Sequence, residues 1–238
     1  HRRAAYLNSV SVLAQLHAVD WAGHPELKAF GKPGGFLQRQ LERFGGQIDR
    51  YSDISTPTLA TLRLAVERHV PQDNQSALVH GDFRTGNLVI SPSGEVRAVL
   101  DWELSTLGDP IADLAYFLIP YHLPSGNSLL SGMRGHDPEA FNLPSEAELI
   151  SSYLDATEQV DVPSWGIYMA FALYRLTVIT GGVFLRRAKA ENRPLTDEEY
   201  GALDQFARAG LAALDAPSLR RSSSSTRAGR SRTASAWR

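Results

Sequence analysis

The stretch ALVHGDFRTGNLVISPSGEVRAVLDWE, residues 77–103, decides the fold. Its short β-branched and apolar runs flank the turn sequence SPSG, and this pattern predicts a β-hairpin. If the turn is centred near Gly94, antiparallel pairing places Asn87 opposite Asp101 at the open end of the ribbon. Asp82 lies on the loop that enters this end, so we expect three side chains with oxygen ligands to converge there.

These three residue types indicate a magnesium site with a general base beside it. Mg²⁺ prefers hard oxygen ligands and binds through one or two protein carboxylates together with substrate phosphates. We therefore predict that Asn87 and Asp101 are metal ligands. Asp82 lies outside the strand ladder and is predicted to accept a proton from an incoming hydroxyl group. The spacing H-x-D-x-x-x-x-N, followed by an Asp at a strand end, is far more specific than any single member.

The composition is that of an ordinary globular protein and excludes several kinds of site. Of 238 residues, 43% are hydrophobic and 21% are charged, and the formal net charge is -2 at pH 7. This charge gives no long-range attraction to nucleic acid, which is not expected as a partner. There is no cysteine, so disulfides, zinc–thiolate sites and thiol catalysis are excluded. We interpret the scattered histidines as surface or packing residues without zinc-ligand spacing: His17, His69, His122 and His136.

The remainder of the chain is predicted to be helical, which makes the fold class α+β but mostly α. The window 165–185 is nearly long enough to span a bilayer, but Arg175 at its middle favours a buried core helix, and no membrane span is expected. Asp109 precedes a helix and is interpreted as its cap. Helical patterns cover residues 4–18, 36–44, 57–70, 109–119, 145–157, 165–188 and 196–214.

Three motifs closely resemble the C-terminal lobe of one kinase group. They are HGDFRTGN, with His80, Asp82 and Asn87; VLDWE, with Asp101; and GDPIADLAY. This group is that of the aminoglycoside phosphotransferases and choline kinases, which are small-molecule kinases. LDWELSTLGDPIADLAYFL and YMAFALYRL look most like the branch that in some proteins precedes an acyl-CoA dehydrogenase module. The resemblance covers roughly residues 4–215. It implies a protein-kinase-like fold of two lobes, with ATP in the cleft between them.

The resemblance also implies an activity and residue roles. The activity is ATP- and Mg²⁺-dependent phosphotransfer to a hydroxyl group of a small molecule. Asp82 matches the catalytic aspartate, and Asn87 and Asp101 match the Mg²⁺ ligands. Glu103 is a candidate accessory ligand of the metal or of water, with a solvated residue as the alternative. Arg84 is a candidate contact for phosphate or a substrate carboxylate, with a surface salt bridge as the alternative.

Three further residues are expected to act around the catalytic loop. His80 is expected to support the loop by hydrogen bonds and packing, and Asp113 to hydrogen-bond it from behind, as the resemblance suggests. Arg175 needs a partner if it is buried. We expect it to pair with an internal acid, and the alternative is that it faces the acceptor pocket and binds a carboxylate.

The N-terminal lobe of such kinases carries a Gly-rich strand-turn-strand and a lysine that holds the α- and β-phosphates. No G-x-G-x-x-G run precedes residue 77, and Lys28 and Lys32 lie in a loop-like context. We therefore expect that the nucleotide-covering lobe is missing and that residues 1–216 form the C-terminal lobe, with a small β-hairpin carrying the metal site. The Ser- and Arg-rich residues 217–238 are expected to form a disordered tail.

Two other functions remain open on the sequence. A lobe without its Gly-rich loop and lysine could be a non-catalytic binding or regulatory module. The fragments HGD and GN also occur in metal-dependent phosphoesterases, which would need further histidine ligands. An aminoglycoside acceptor is not expected, because the helices after residue 140 show no concentrated acidic face beyond TDEE. A hydroxy acid or its acyl-CoA thioester fits the resembling branch better, and the location is expected to be cytoplasmic.

Overall fold

The computed structural model describes residues 1–71, 75–126, 130, 132–162, 164–216 and 218–220, and these are mostly helical. The α-helices are α1 (Arg2–His17), α2 (Pro25–Lys28), α3 (Phe36–Arg50), α4 (Pro57–His69), α5 (Pro110–Leu118), α6 (Glu146–Ala156), α7 (Trp165–Ala190) and α8 (Asp197–Ala213). The strands are β1 (Ala77–Val79), β2 (Leu88–Ile90), β3 (Val96–Val99), β4 (Thr106–Gly108), β5 (Asp161–Val162) and β6 (Leu219–Arg220).

Several helices begin at the capping residues that the sequence offers. The Thr56 hydroxyl accepts the backbone N–H of Leu59 at 3.1 Å, and Pro57 occupies the first helical position of α4. At α8, the Thr196 hydroxyl accepts the N–H of Glu199 at 3.2 Å, and the Glu199 carboxylate accepts the N–H of Thr196 at 2.8 Å. Such capping boxes satisfy backbone donors that the helix itself leaves unpaired.

Helix α3 is longer than the predicted 36–44, because it continues through Gly45 and Gly46 to Arg50. Glycine in a helix interior costs roughly 1 kcal/mol relative to alanine, which makes a glycine pair resemble a helix end in the sequence. Gly45 is buried, and a Cβ there would lie 2.7 Å from Nη2 of Arg63 on α4. The missing side chain therefore makes room for an arginine of the neighbouring helix.

The strands form three antiparallel pairs, of which the sequence predicts one. The predicted hairpin joins β2 to β3, with Leu88 opposite Val99. The pair of β1 and β4, with Ala77 opposite Gly108, joins residues too far apart for turn chemistry to indicate. This second pair holds the segment before Asp82 against the segment after Asp101.

The third pair lies where the tail was expected to begin. Leu219–Arg220 form β6, which pairs with Asp161–Val162 of β5. The predicted boundary at residue 217 is therefore too early, because backbone pairing to β5 orders this part of the chain. Residues 221–238 lie outside the described residues, and the disorder expected for them stays a prediction.

Helix α7 lies at the centre of the core and packs against α3, α4, α5 and α8. By length and composition it could cross a membrane, but 72% of its most apolar window is buried inside the protein. This burial is the behaviour of a core helix. Fully buried aromatic side chains on α7 and α8, such as Phe171, Tyr174 and Phe206, fill the space between the helices.

Helix α4 offers a matched pair of leucines to test this packing. Leu62 is 0% exposed and lies against Gly210 of α8, whereas Leu64 is 51% exposed. We expect Leu62→Ala to lower the free energy of unfolding by about 2–5 kcal/mol, because it removes buried methyl groups and leaves a cavity. Leu64→Ala should change it by less than about 0.5 kcal/mol. Urea unfolding measures both, and equal losses would contradict the packing described.

Candidate active site

The loop that follows β1 is held from behind by the carboxylate of Asp113 on α5. Oδ2 of Asp113 accepts the backbone N–H of His80 at 2.6 Å, and Oδ1 accepts that of Gly81 at 2.9 Å. Asp113 is buried, so these bonds satisfy donors that would otherwise be unpaired inside the protein. They fix the course of the chain immediately before Asp82.

Glycine is required at position 81 on two grounds. Its φ of 82° lies in the left-handed region, which side chains other than glycine rarely adopt. A Cβ at this position would also collide with the carbonyl oxygen of Leu104, which follows the hairpin. The loop after β1 and the segment after Asp101 are therefore in direct backbone contact.

His80 joins the loop to the end of the hairpin. Its Nε2 lies 2.9 Å from the carbonyl oxygen of Leu100, and its Nδ1 lies 3.2 Å from the backbone nitrogen of Asp82. Because a carbonyl only accepts and an N–H only donates, Nε2 carries the hydrogen and Nδ1 accepts. The ring also packs edge-on against Phe83 and Trp102.

The carboxylate of Asp82 is oriented by neighbouring donors while remaining partly open. Nδ2 of Asn87 donates to Asp82 Oδ2 and to the Asp82 carbonyl oxygen, both at 2.9 Å. Nε of the exposed Arg84 lies 3.3 Å from the same Oδ2, which gives Arg84 an ion pair with Asp82. The Asp82 side chain is 17% exposed, so a molecule in solution can reach it.

The hairpin brings Asn87 and Asp101 to one end, although the predicted register is wrong by one residue. Leu100, not Asp101, lies opposite Asn87, and the N–H of Leu100 donates to the Asn87 carbonyl at 2.8 Å. The turn is centred on Ser93 rather than Gly94, since Ser91 pairs with Glu95, and this alone would place Val99 opposite Asn87. A register shift between Val89 and Ile90 moves the partner to Leu100. Asp101 is thus the first residue beyond the ladder.

Asp101 has an unusual, left-handed backbone conformation. Its φ of 67° and ψ of 63° are left-handed, a conformation that costs residues other than glycine on the order of 1–3 kcal/mol. Asp101 and Glu103 are exposed, and neither carboxylate makes a hydrogen bond or ion pair with the residues that the structure describes. An acid that is strained, exposed and unpaired has little structural role of its own.

The donor set fits one hard cation bound together with a phosphate ligand. Among the described residues, no three His, Cys, Asp or Glu side chains cluster as a metal site. The predicted set instead has an amide, Asn87, and the acids Asp101 and Glu103. Mg²⁺ commonly takes only one or two protein carboxylates and completes its coordination with water and phosphates. This set therefore agrees with Mg²⁺ and argues against a dinuclear phosphoesterase centre.

Tyr116 on α5 is a site residue that the sequence did not indicate. Its hydroxyl hydrogen-bonds the Asp82 carboxylate. Burial raises the pKa of Tyr116 to about 12; Arg175 opposes this rise, and the negative charge of Asp82 adds to it. Tyr116 thus remains a hydrogen-bond donor to Asp82 at neutral pH. In the sequence it is one apolar position in a helical pattern.

Arg175 is buried, but the prediction that it pairs with an internal acid is wrong. Its Nη2 donates to the carbonyl oxygen of Gly81, and its guanidinium lies 4.7 Å above the ring of Tyr116. No carboxylate of a described residue forms an ion pair with it, and its Nε has no hydrogen-bond partner. The Gly81 carbonyl in the loop after β1 and the face of Tyr116 take the place of the acid.

His17, interpreted as a surface or packing residue, is instead a buried partner of Asp113. Nδ1 of His17 lies 2.6 Å from the Tyr153 hydroxyl, and Nε2 lies 3.5 Å from Asp113 Oδ2. Burial alone would raise the pKa of Asp113, but the hydrogen bond and charge of His17 and the N–H groups of His80 and Gly81 lower it overall. The pairing joins α1 to α5, which sequence spacing cannot reveal.

The other predicted polar residues have structural partners. Asp109 caps α5 by accepting the N–H of Ile111 at 2.9 Å, and it also accepts the Tyr168 hydroxyl at 2.7 Å. His122 lies 2.7 Å from a carboxylate oxygen of Glu146. These contacts serve helix ends and packing rather than the catalytic loop.

The sequence profile of the phosphotransferase enzyme family matches residues 1–149, which is more than half of the chain. The chain belongs to this family.

Curated relatives extend the match of this chain beyond the profile. Acyl-CoA dehydrogenase family member 10 of Mus musculus is 36% identical over 205 residues, which is 86% of this chain and 19% of the relative. Family member 11 of Homo sapiens is 33% identical over 194 residues, which is 80% of this chain and 24% of the relative. The chain therefore spans about a fifth to a quarter of these relatives, and the branch that the motifs resemble is confirmed.

Solved structures show that the chain has a kinase-like fold. A Ralstonia eutropha protein, described as a candidate aminoglycoside phosphotransferase, is 31% identical with a TM-score of 0.77. The match covers 89% of this chain and 64% of that protein. Choline kinase of Cryptosporidium parvum has a TM-score of 0.60 at 12% identity, covering 89% and 66%. At this low identity, the second likeness shows the fold alone.

The lowered pKa of Asp113 predicts how the loop depends on pH. A depressed pKa contributes stability that is complete above the unfolded value of about 3.9 and is lost as the pH falls through the folded value. We expect Asp113→Asn to lower the free energy of unfolding by about 1.5–3 kcal/mol at neutral pH, because one amide oxygen cannot replace two charged acceptors.

The gap between the two proteins should begin to narrow below about pH 4, where the carboxyl group of the unfolded chain takes up a proton, and should close as the pH falls through the lower pKa of the folded protein. Urea unfolding across this range measures the gap, with the exposed Asp215→Asn as the matched control. A gap that stays constant with pH would contradict a charged Asp113 in the folded state.

Proposed function

We propose that this phosphotransferase transfers the γ-phosphoryl group of ATP to a hydroxyl group of a small molecule, with Mg²⁺ as cofactor. The observation that carries the proposal is the 2.9 Å hydrogen bond between Asn87 and Asp82 at the end of the hairpin. The unpaired Asp101 lies at the same end, directly after the second strand of the hairpin. This arrangement offers a proton acceptor beside a place for a phosphate-bound cation.

Asp82 is proposed as the general base. Its carboxylate takes the proton of the acceptor hydroxyl as that oxygen bonds to the γ-phosphorus. The bond between the γ-phosphorus and the β–γ bridging oxygen breaks, so the products are ADP and a phosphate monoester. The hydrogen bonds from Asn87 and Tyr116 hold the carboxylate in one orientation and leave part of it open to the acceptor.

Asn87 and Asp101 are proposed to hold Mg²⁺, with Glu103 as an accessory ligand of the metal or of water. The bound metal supplies charge neutralisation at the phosphates. Nδ2 of Asn87 donates to Asp82, which leaves its amide oxygen as the ligand atom. Arg84 is exposed beside Asp82 and is proposed to bind a phosphate or a substrate carboxylate. In doing so it would replace its ion pair with Asp82 by an ion pair with the ligand.

The hairpin also offers an apolar surface for a nucleotide base. Val89 and Leu100 are 44% and 49% exposed. Because Val89 lies opposite Ala98, and Leu100 follows Ala98 by two positions, both lie on the same face of the ribbon. Two exposed apolar residues next to Asn87 and Asp101 support ATP as the phosphoryl donor.

A second lobe is proposed to complete the active protein. This chain covers 64% of the matched Ralstonia eutropha protein and 66% of the choline kinase. The remaining third of those chains supports an N-terminal lobe that closes over the nucleotide. The acceptor proposed from the resembling branch is a hydroxy acid or its acyl-CoA thioester, and the proposed location is the cytoplasm. The alternative is a lobe that binds or regulates without catalysis.

Substitution of the proposed base tests the function. In the longer protein that contains this chain and the preceding lobe, we expect Asp82→Asn to lower phosphotransfer from labelled ATP to hydroxylated small molecules by about 10²- to 10⁴-fold. The fold should persist, because Asn has the shape of Asp. Glu95→Gln, at the exposed turn of the same hairpin, should retain full activity. Unchanged turnover in Asp82→Asn would sink the proposed mechanism.

Nucleotide binding separates catalysis from the non-catalytic alternative. In the longer protein, we expect calorimetry to show Mg·ATP binding that Asp101→Ala weakens strongly, because the cation loses a carboxylate ligand. Glu95→Ala should bind as the parent does. The 238-residue chain alone should bind weakly or not at all. Absence of Mg-dependent binding in both proteins would favour the binding or regulatory module.

A further inference from the structure

Arg175 carries a buried positive charge that the described chain does not neutralise. The residue is 7% exposed; its guanidinium donates to the Gly81 carbonyl and lies over the face of Tyr116. Its Nε is buried without a hydrogen-bond partner. Burial of a charge without a counter-charge is costly unless other interactions compensate. A counter-charge supplied by a ligand would satisfy this group.

The same guanidinium lines a pocket of about 200 Å³ between α3 and α7. Arg43 on α3 and Arg186 on α7 line this pocket as well, and both are exposed. Neither forms an ion pair with a carboxylate of a described residue. Two glutamines of α3, Gln40 and Gln47, add hydrogen-bonding groups. We call this pocket the arginine pocket.

The arginine pocket contains three cationic side chains and no acid among its lining residues. Like charges around one small space repel each other, and solvent screens this repulsion least where the space is enclosed. An anion in the pocket relieves the repulsion of all three arginines at once. Planar guanidinium groups also match the two oxygens of a carboxylate and the oxygens of a phosphate.

The arginine pocket adjoins the catalytic loop. Gly81, which immediately precedes Asp82, lines it together with Leu104, which follows Asp101. The remaining wall is apolar: Phe36, Phe44, Val178, Ile179 and Gly182. A ligand with an anionic end and a short aliphatic part therefore suits both kinds of wall.

We propose that the arginine pocket is an anion-binding subsite, formed by Arg43, Arg175 and Arg186, which selects an acceptor that carries a carboxylate or a phosphate. The link to the acceptor rests on the proposed function; the affinity for an anion does not. Its volume of about 200 Å³ suits the charged end of an acceptor and a few carbon atoms.

Direct binding tests the subsite without turnover. We would titrate 3-hydroxybutanoate, glycerol 3-phosphate and 1,3-butanediol into the 238-residue chain by calorimetry in the absence of nucleotide. The neutral diol has the carbon skeleton of the hydroxy acid without its charge. We expect at least one anion to bind and the diol not to bind, and the affinity to fall with added salt. Comparison of the two anions distinguishes a carboxylate from a phosphate.

Exposed arginines provide variants that should not disturb folding. The double variant Arg43→Gln/Arg186→Gln should weaken anion binding by about tenfold or more, in the range of lost charge-assisted hydrogen bonds. Arg187→Gln is the matched control, because Arg187 neighbours Arg186 but pairs with Glu191 at 3.0 Å and does not line the arginine pocket. Equal binding by the double variant and the parent, or no binding of either anion up to millimolar concentration, would overturn the subsite.

The Asp82→Asn variant separates this inference from the proposed function. It should bind the anion as the parent does while losing phosphotransfer. If anion binding depends on the arginines but the longer protein phosphorylates no acceptor, the subsite stands and the proposed function fails. If phosphotransfer occurs with equal efficiency on the acid and the diol, and the double variant changes neither, the function stands and the subsite is overturned.

Discussion

The structure depends on the contact between the Asp113 carboxylate and two successive backbone N–H groups, those of His80 and Gly81, in the loop after β1. A buried carboxylate that accepts two backbone donors is a strong anchor, since loss of either side leaves an unpaired polar group inside the protein. His17 on α1 contacts this carboxylate, and the Tyr153 hydroxyl on α6 holds the other nitrogen of the His17 ring. Asp113, His17 and Tyr153 thus join three helices in one chain of polar contacts behind the loop that carries Asp82.

Helix α7 connects the core to the same loop from the other side. Its buried aromatic residues pack against α8, while Arg175 holds the Gly81 carbonyl and covers Tyr116. Tyr116 in turn bonds to Asp82. The proposed catalytic carboxylate therefore rests on an aromatic ring and a guanidinium whose positions the packing of the core determines. A substitution in the core part of α7 can therefore change the position of the Asp82 carboxylate without contacting it directly.

Local chemistry made part of this arrangement predictable. The turn SPSG and the alternating runs around it indicated the hairpin, and capping residues indicated where α4, α5 and α8 begin. The spacing of Asp82, Asn87 and Asp101 indicated their convergence, within one residue of register. The offset comes from a turn centred one residue earlier than predicted, and the bulge beside Val89, which has no local signal, removes only part of it.

What sequence could not supply were contacts between distant segments. Tyr116 and His17 occupy ordinary positions in helical patterns, and their polar partners lie on other elements. For Arg175, the general rule that a buried charge is paired with an opposite charge predicted an acidic partner. The face of Tyr116 and the Gly81 carbonyl provide part of that stabilisation instead. Helix α3 continues through two glycines, and Arg63 of the neighbouring helix occupies the space beside the first of them, Gly45, which is again a tertiary effect.

The two segments that carry Asp82 and Asp101 are joined at both ends. At one end β1 pairs with β4, and the Ser105 hydroxyl donates to the Val79 carbonyl at 2.8 Å. At the other end Leu100 bonds to Asn87, and His80 bridges to the Leu100 carbonyl. The backbone therefore forms a closed ring, and neither acid can leave by fraying of its own segment alone. Local opening must break both sets of pairings together, so the two carboxylates belong to one cooperative unit that is either whole or open.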